Sequence, residues 1–120
     1  MTWSDDVLST FESADELVLV LEREGRPTVE VPVWVVRVGG AVYLRSQDGT
    51  GSGWYRRAEL QPEQNAELEG TRMPVRLVPA PAEQEQAVSD AYLAKYGGPG
   101  FPRILLLPDA VAATLRVEPR

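Results

Sequence analysis

Pro32-Val33-Trp34-Val35-Val36-Arg37-Val38-Gly39-Gly40-Ala41-Val42-Tyr43-Leu44-Arg45-Ser46 decides the fold. Two runs rich in β-branched residues flank a Gly-Gly pair, a dipeptide that readily takes the positive φ of a two-residue hairpin turn. The first run extends back to Thr28, so the sequence predicts one strand over 28–38, a turn at Gly39-Gly40 and a return strand over 41–46. In that register Val38 faces Ala41, Val36 faces Tyr43 and Trp34 faces Arg45 on one side of the ribbon. Val33, Val35, Val42 and Leu44 lie on the other, with Arg37 and Ser46. Both sides are largely apolar, so both are expected to be covered. The valine-rich side reads as barrel interior. The side with Trp34, Val36 and Tyr43 needs a second cover: a helix of the same chain, a partner subunit or a flat aromatic ligand. Trp34 and Arg45 are placed for a cation–π contact.

Outward from the hairpin, Ser4 with Asp5 and Asp6 marks a helix start, and the stripe Val7, Leu8 and Phe11 carries the helix to about Ser13. Leu17–Leu21 reads as a buried strand, followed by a turn over Glu24-Gly25-Arg26-Pro27. Downstream, the glycine-rich stretch Gln47–Gly53 is a loop and Trp54–Leu60 a short helix. Strands are expected over about 65–68 and 73–78, then a helix over 82–96 stopped by Gly97-Gly98-Pro99-Gly100. The chain closes with a strand over 113–118, after an apolar connector, 101–107, of no decided form. The sum is an α+β chain around an antiparallel sheet, expected to form one domain over 1–120.

Composition narrows the chemistry. With 43% hydrophobic and 25% charged residues the chain has a globular balance. It has no Cys and no His, which removes disulfides, thiolate nucleophiles, the common zinc sets and the usual general base at neutral pH. A net charge of −6 argues against a nucleic-acid partner. No run approaches the roughly 20 apolar residues of a membrane span and the start lacks the pattern of a signal peptide, so a cytoplasmic location is expected. The carboxylates at Asp5-Asp6, Asp15-Glu16 and Glu83-Glu85 read as helix-dipole partners and solubilising charge, and no metal site is expected.

The hairpin, the glycine loop after it and Trp54-Tyr55-Arg56-Arg57 together resemble the deazaflavin-dependent nitroreductase branch of the flavin-binding split barrels. The hairpin and the Lys95-Tyr96-Gly97 helix end are also similar to an uncharacterised bacterial family of short proteins in that superfamily. The resemblance implies a small antiparallel split β-barrel with flanking helices, a deazaflavin coenzyme or FMN as cofactor, and a homodimer joined through the second hairpin face. Of the Gly-Arg-Lys-Ser/Thr-Gly phosphate motif usual in that branch, only Gly25-Arg26 stands here, followed by Pro27. Arg57 replaces the Asn usual after the Trp-Tyr pair.

The cofactor-binding candidates are Arg26, Trp34, Tyr43, Arg45, Ser46, Gln47, Gly49, Trp54, Arg56 and Arg57. In this reading aromatic side chains meet the ring, while arginines and loop N–H groups meet the anionic tail. Without His or Cys, difficult chemistry falls to a bound cofactor, with the protein supplying binding and orientation. Two functions follow: a flavin- or deazaflavin-binding oxidoreductase-like protein of open substrate, or a non-enzymatic interaction or small-ligand module. No catalytic residue is assigned. Arg45, at the strand end beside Trp34 and Tyr43, is the expected phosphate contact, with little part in stability.

Overall fold

The structure, a computed structural model describing residues 2–120, contains seven strands and four α-helices among those residues. Helix α1 (Asp5–Ser13) begins where the sequence says it should, with Ser4 Oγ accepting the Val7 N–H. Strands β1 (Leu17–Arg23) and β2 (Arg26–Val33) form a hairpin. Then come β3 (Val35–Val38) and β4 (Ala41–Arg45), followed by α2 (Gly53–Leu60). β5 (Glu63–Leu68) and β6 (Thr71–Pro79) precede α3 (Glu85–Tyr96), and α4 (Pro108–Ala112) leads into β7 (Thr114–Pro119). The undecided connector is a 3-10 turn over Arg103–Leu106.

The sheet order is β2-β1-β5-β6-β7-β4-β3, and all six neighbouring pairs are antiparallel. Its two edge strands, β2 and β3, are consecutive in the chain and separated by Trp34 alone. The edges of the sheet must therefore approach each other at Trp34. This curls the sheet into the split barrel that the sequence predicts.

The single strand expected over 28–38 is thus two strands. Residues up to Val33 pair with β1, whereas Val35 onward pairs with β4. Within the second part the expected register holds: Val35 faces Leu44, Val36 faces Tyr43 and Val38 faces Ala41. The predicted Trp34–Arg45 pair is absent, because the ladder ends at Val35. Trp34 instead stacks on Tyr96, with ring centroids 4.2 Å apart and planes 9° from parallel, and the Arg45 guanidinium lies 5.7 Å from the Tyr92 ring centre.

A break between two sheet edges strands backbone groups, which must find partners if buried. Helix α3 supplies them. Tyr92 Oη donates to Trp34 O at 2.9 Å, Val35 N–H donates to Tyr96 Oη at 3.2 Å, and Lys95 Nζ donates to Val35 O at 2.7 Å. Lys95 Nζ also reaches Phe11 O and Tyr96 Oη reaches Asp15 O, so the same helix ties down the end of α1 and the entry to β1.

Two apolar layers result. Val35, Val42 and Leu44 face the barrel interior with Leu19, Leu77 and Leu115, closed by Phe11 of α1 and Tyr55 of α2. Val36 and Tyr43 face Val88 and Tyr92 of α3 and Leu105. The second hairpin face is therefore covered by α3 of the same chain, which removes it as the surface for a dimer. A fully buried tyrosine such as Tyr92 removes roughly 150–200 Å² from water, a gross gain of about 4–5 kcal/mol before the entropy of ordering it.

Tyr92 Oη also accepts the Arg45 backbone N–H at 3.0 Å. Tyr92→Phe keeps the ring and orphans two buried backbone groups, so it should lower stability by about 1–3 kcal/mol. In urea unfolding the midpoint should fall with an unchanged slope.

Candidate functional site

The seam opens on one side into a partly enclosed cleft of about 250 Å³. Glu16, just before β1, lines it with Pro32, Val33 and Trp34 at the seam, Arg45 and Gln47 at and beyond the end of β4, Trp54 on α2, and Pro102 and Leu105. Both indoles are half-buried and Gln47 and Glu16 are exposed. Trp34 is set by its stack on Tyr96. Trp54 is placed by α2, which begins where Ser52 Oγ accepts the Tyr55 N–H, while Ser46 Oγ bonds Ser52 Oγ at 2.8 Å and so ties the loop to the end of β4.

Arg45 is only 3% exposed. Its Nε donates to Thr114 Oγ1 at 2.9 Å, Nη1 to Ser89 Oγ at 2.8 Å and to Leu105 O at 2.9 Å, and Nη2 to Glu85 O at 2.8 Å. Four of its five N–H groups are thereby engaged, joining β4, β7, α3 and the 3-10 turn. Burial lowers its pKa, partly opposed by Tyr92 and Glu85, and it remains a cation. Arg45 is thus a buried cross-link that also lines the cleft, which corrects the expectation that it has little part in stability.

Four of the ten candidates converge on the cleft: Trp34, Arg45, Gln47 and Trp54. Tyr43 instead packs under α3, and Ser46 is buried beneath the loop. Gly49 has φ +77° and packs so close to α4 that a Cβ would lie 3.2 Å from Asp109 Cβ, a requirement of backbone and space that calls for glycine. Arg26 begins β2, the strand whose far end reaches the cleft, roughly 23 Å away at ~3.3 Å per residue. With Arg23, Arg57 and Leu60 it borders a separate shallow depression, and Arg56 is exposed on α2.

Glu16, Pro102 and Leu105 escaped the sequence reading. Glu16 looked like solubilising charge, and the form of residues 101–107 carried no periodic signal. The partners of Arg45 come from segments 40 to 69 positions away. Burial pushes the Tyr96 hydroxyl up to about 12, against the opposing hydrogen bond from Val35, and raises that of Tyr92 as well. Both hydroxyls hold backbone at neutral pH. Burial also lowers the Lys95 pKa, opposed by Asp15 and Glu12. Among the described residues no group of three or more acidic, His or Cys side chains is arranged to hold a metal ion, and no helix is long and apolar enough to cross a membrane.

Residues 7–117 match the family described as an uncharacterized protein conserved in bacteria, DUF2255. The chain belongs to this family. The matched span takes in every residue that lines the cleft of this DUF2255 chain. No curated protein matches the chain. Its fold is similar to that of an F420-H2-dependent reductase, with TM-score 0.66 and 14% identity over 87% of this chain and 94% of the other. A second similar structure is described as a domain-swapped dimer, with TM-score 0.66 and 14% identity over 89% and 81%. A third, from Bacteroides thetaiotaomicron, is a candidate 5-nitroimidazole antibiotic resistance protein, with TM-score 0.64 and 16% identity over 98% and 81%. At these identities the likeness is one of fold, that of a split barrel.

Arg45→Ala in the DUF2255 chain removes four hydrogen bonds that tie β4 to β7, α3 and the 3-10 turn. Stability should fall by about 3 kcal/mol or more. Chemical denaturation measures it, and a loss below about 1 kcal/mol contradicts the cross-link.

Proposed function

We propose that the seam cleft receives the flat ring of a deazaflavin or flavin, and that the chain is an oxidoreductase-like protein. The observation that carries this reading is the convergence of two indoles, a side-chain amide and a buried cation on one cleft in a split-barrel fold. A volume of about 250 Å³ is slightly below the roughly 300–1,000 Å³ of whole-ligand sites, which suits a ring with its tail outside. The similar F420-H2-dependent reductase adds weight to a deazaflavin.

The residues present fit the ring better than they fit a phosphate. Trp34 and Trp54 offer aromatic surface and keep water from one side, and Gln47 offers both a donor and an acceptor to a ring edge. When bound, the ring supplies hydride transfer. Arg45 has one N–H to give, and Arg26 and Arg57 border a different depression. Arg56, exposed two residues beyond Trp54, is the candidate for an anionic tail leaving the cleft. Tyr43, Ser46 and Gly49 take the role of holding the site in place.

The engaged state of Arg45 favours a second reading, a non-enzymatic module that binds a small ring compound in the same cleft. In either reading we place the protein in the cytoplasm, with no nucleic acid as partner given its net charge of −6. A homodimer is proposed by analogy with the domain-swapped structure of similar fold, through a surface other than the one α3 covers.

Titration of the protein with F420 and with FMN, followed by ring absorbance and tryptophan emission, tests the ring site. Saturable binding of one coenzyme is expected. Trp54→Ala should weaken it about two- to tenfold, the value of one aromatic contact of about 0.5–1.5 kcal/mol. Failure of both coenzymes to bind overturns the redox reading, and binding without any oxidation of the reduced coenzyme moves the module reading ahead.

A further inference from the structure

Arg45 carries a positive charge into a buried site where each hydrogen-bond partner is a neutral oxygen: Thr114 Oγ1, Ser89 Oγ, Leu105 O and Glu85 O. Among the described residues no carboxylate lies within ion-pair distance of it. The four ion pairs present there involve Arg37, Arg72, Arg76 and Arg116. A buried charge without a counter-charge is costly, and hydrogen bonds to neutral groups offset only part of that cost. One carboxylate, that of Glu85, half-buried on α3, bears on the charge from beyond ion-pair distance. A second, Glu16, lines the cleft and is exposed. An exposed carboxylate is screened by water and salt, whereas the field of a buried guanidinium is not, so the interior of the cleft is left positive.

We propose that the cleft selects anions, taking a flat aromatic ring that bears one negative charge in preference to its neutral isostere, with the charge of Arg45 making the selection. Such a ligand supplies the missing counter-charge without displacing the four internal hydrogen bonds, and one N–H of Arg45 is left to donate to it. The inference rests on the reading of the cleft as a ring site, and it adds the charge that the ring or ring-bearing substrate carries.

A pair of isosteres tests it on the wild-type protein: 2-naphthoate and 2-naphthamide, titrated by calorimetry, with the indole N–H resonances of Trp34 and Trp54 locating the binding. Naphthoate is expected to bind at least tenfold more tightly than naphthamide, and to keep most of that preference in high salt because the charge is buried. Since Arg45 variants are expected to be destabilised, the companion variant is Glu16→Gln, which removes the exposed carboxylate at the cleft. It should strengthen naphthoate binding about two- to threefold relative to naphthamide. Equal binding of the two compounds overturns the charge selection and leaves the ring site standing. Naphthoate shifts confined to Arg23, Arg26 and Arg57 overturn the selection as well, and binding of neither compound overturns the ring site together with this inference.

Discussion

The structure depends on how the backbone is satisfied at Trp34. There the chain leaves one edge of the sheet and enters the other edge within a single residue, so no strand-to-strand ladder can serve both sides of the break. Tyr92, Lys95 and Tyr96, on successive positions of one face of α3, provide the partners for Trp34 O, Val35 N–H and Val35 O. Without them the two edges would face each other with buried orphan groups, each costing about 1–3 kcal/mol. The same contacts hold α3 across the second hairpin face. The cleft lies beside the seam for this reason, and Trp34 presents its indole there with Tyr96 stacked against it.

Arg45 couples that seam to the rest of the molecule. It stands at the end of β4 with its backbone N–H on Tyr92, and its side chain crosses to β7, α3 and the 3-10 turn before the cleft is reached. One residue thus serves as structural cross-link and as source of charge. A protein without Cys or His has few ways to shape reactivity, and a buried cation beside two indoles is one of them. In the proposed reading, chemistry at such a site belongs to the bound ring, with the protein setting orientation, water access and charge.

Much of the fold was legible in the sequence because local signals and tertiary demands agree. Ser4 caps α1, Gly39-Gly40 turns the hairpin and the valine alternation sets the register from Val35 to Val38. The break at Trp34 was not legible, since β-branched residues continue on both sides and only the far-off pairing of β2 with β1 reveals it. The site was legible where it follows the hairpin, at Trp34, Arg45, Gln47 and Trp54. It was hidden where residues remote in sequence complete it, as Glu16, Ser89, Leu105 and Thr114 do. The structural part of Arg45 was missed for a related reason: a strand-end arginine looks exposed until α3 and the 3-10 turn are laid over it.

Hydrogen exchange at the Val35 amide tests the seam most directly, because that N–H has a side chain, Tyr96 Oη, as its acceptor. If α3 holds the seam closed, Val35 should exchange only through opening of the barrel, with protection close to that of the core strand amides. Tyr96→Phe should then reduce the protection at Val35 more than at amides of β5 and β6. Exchange of Val35 at the rate of an exposed loop in the wild-type protein would contradict the seam and the placement of the cleft that depends on it.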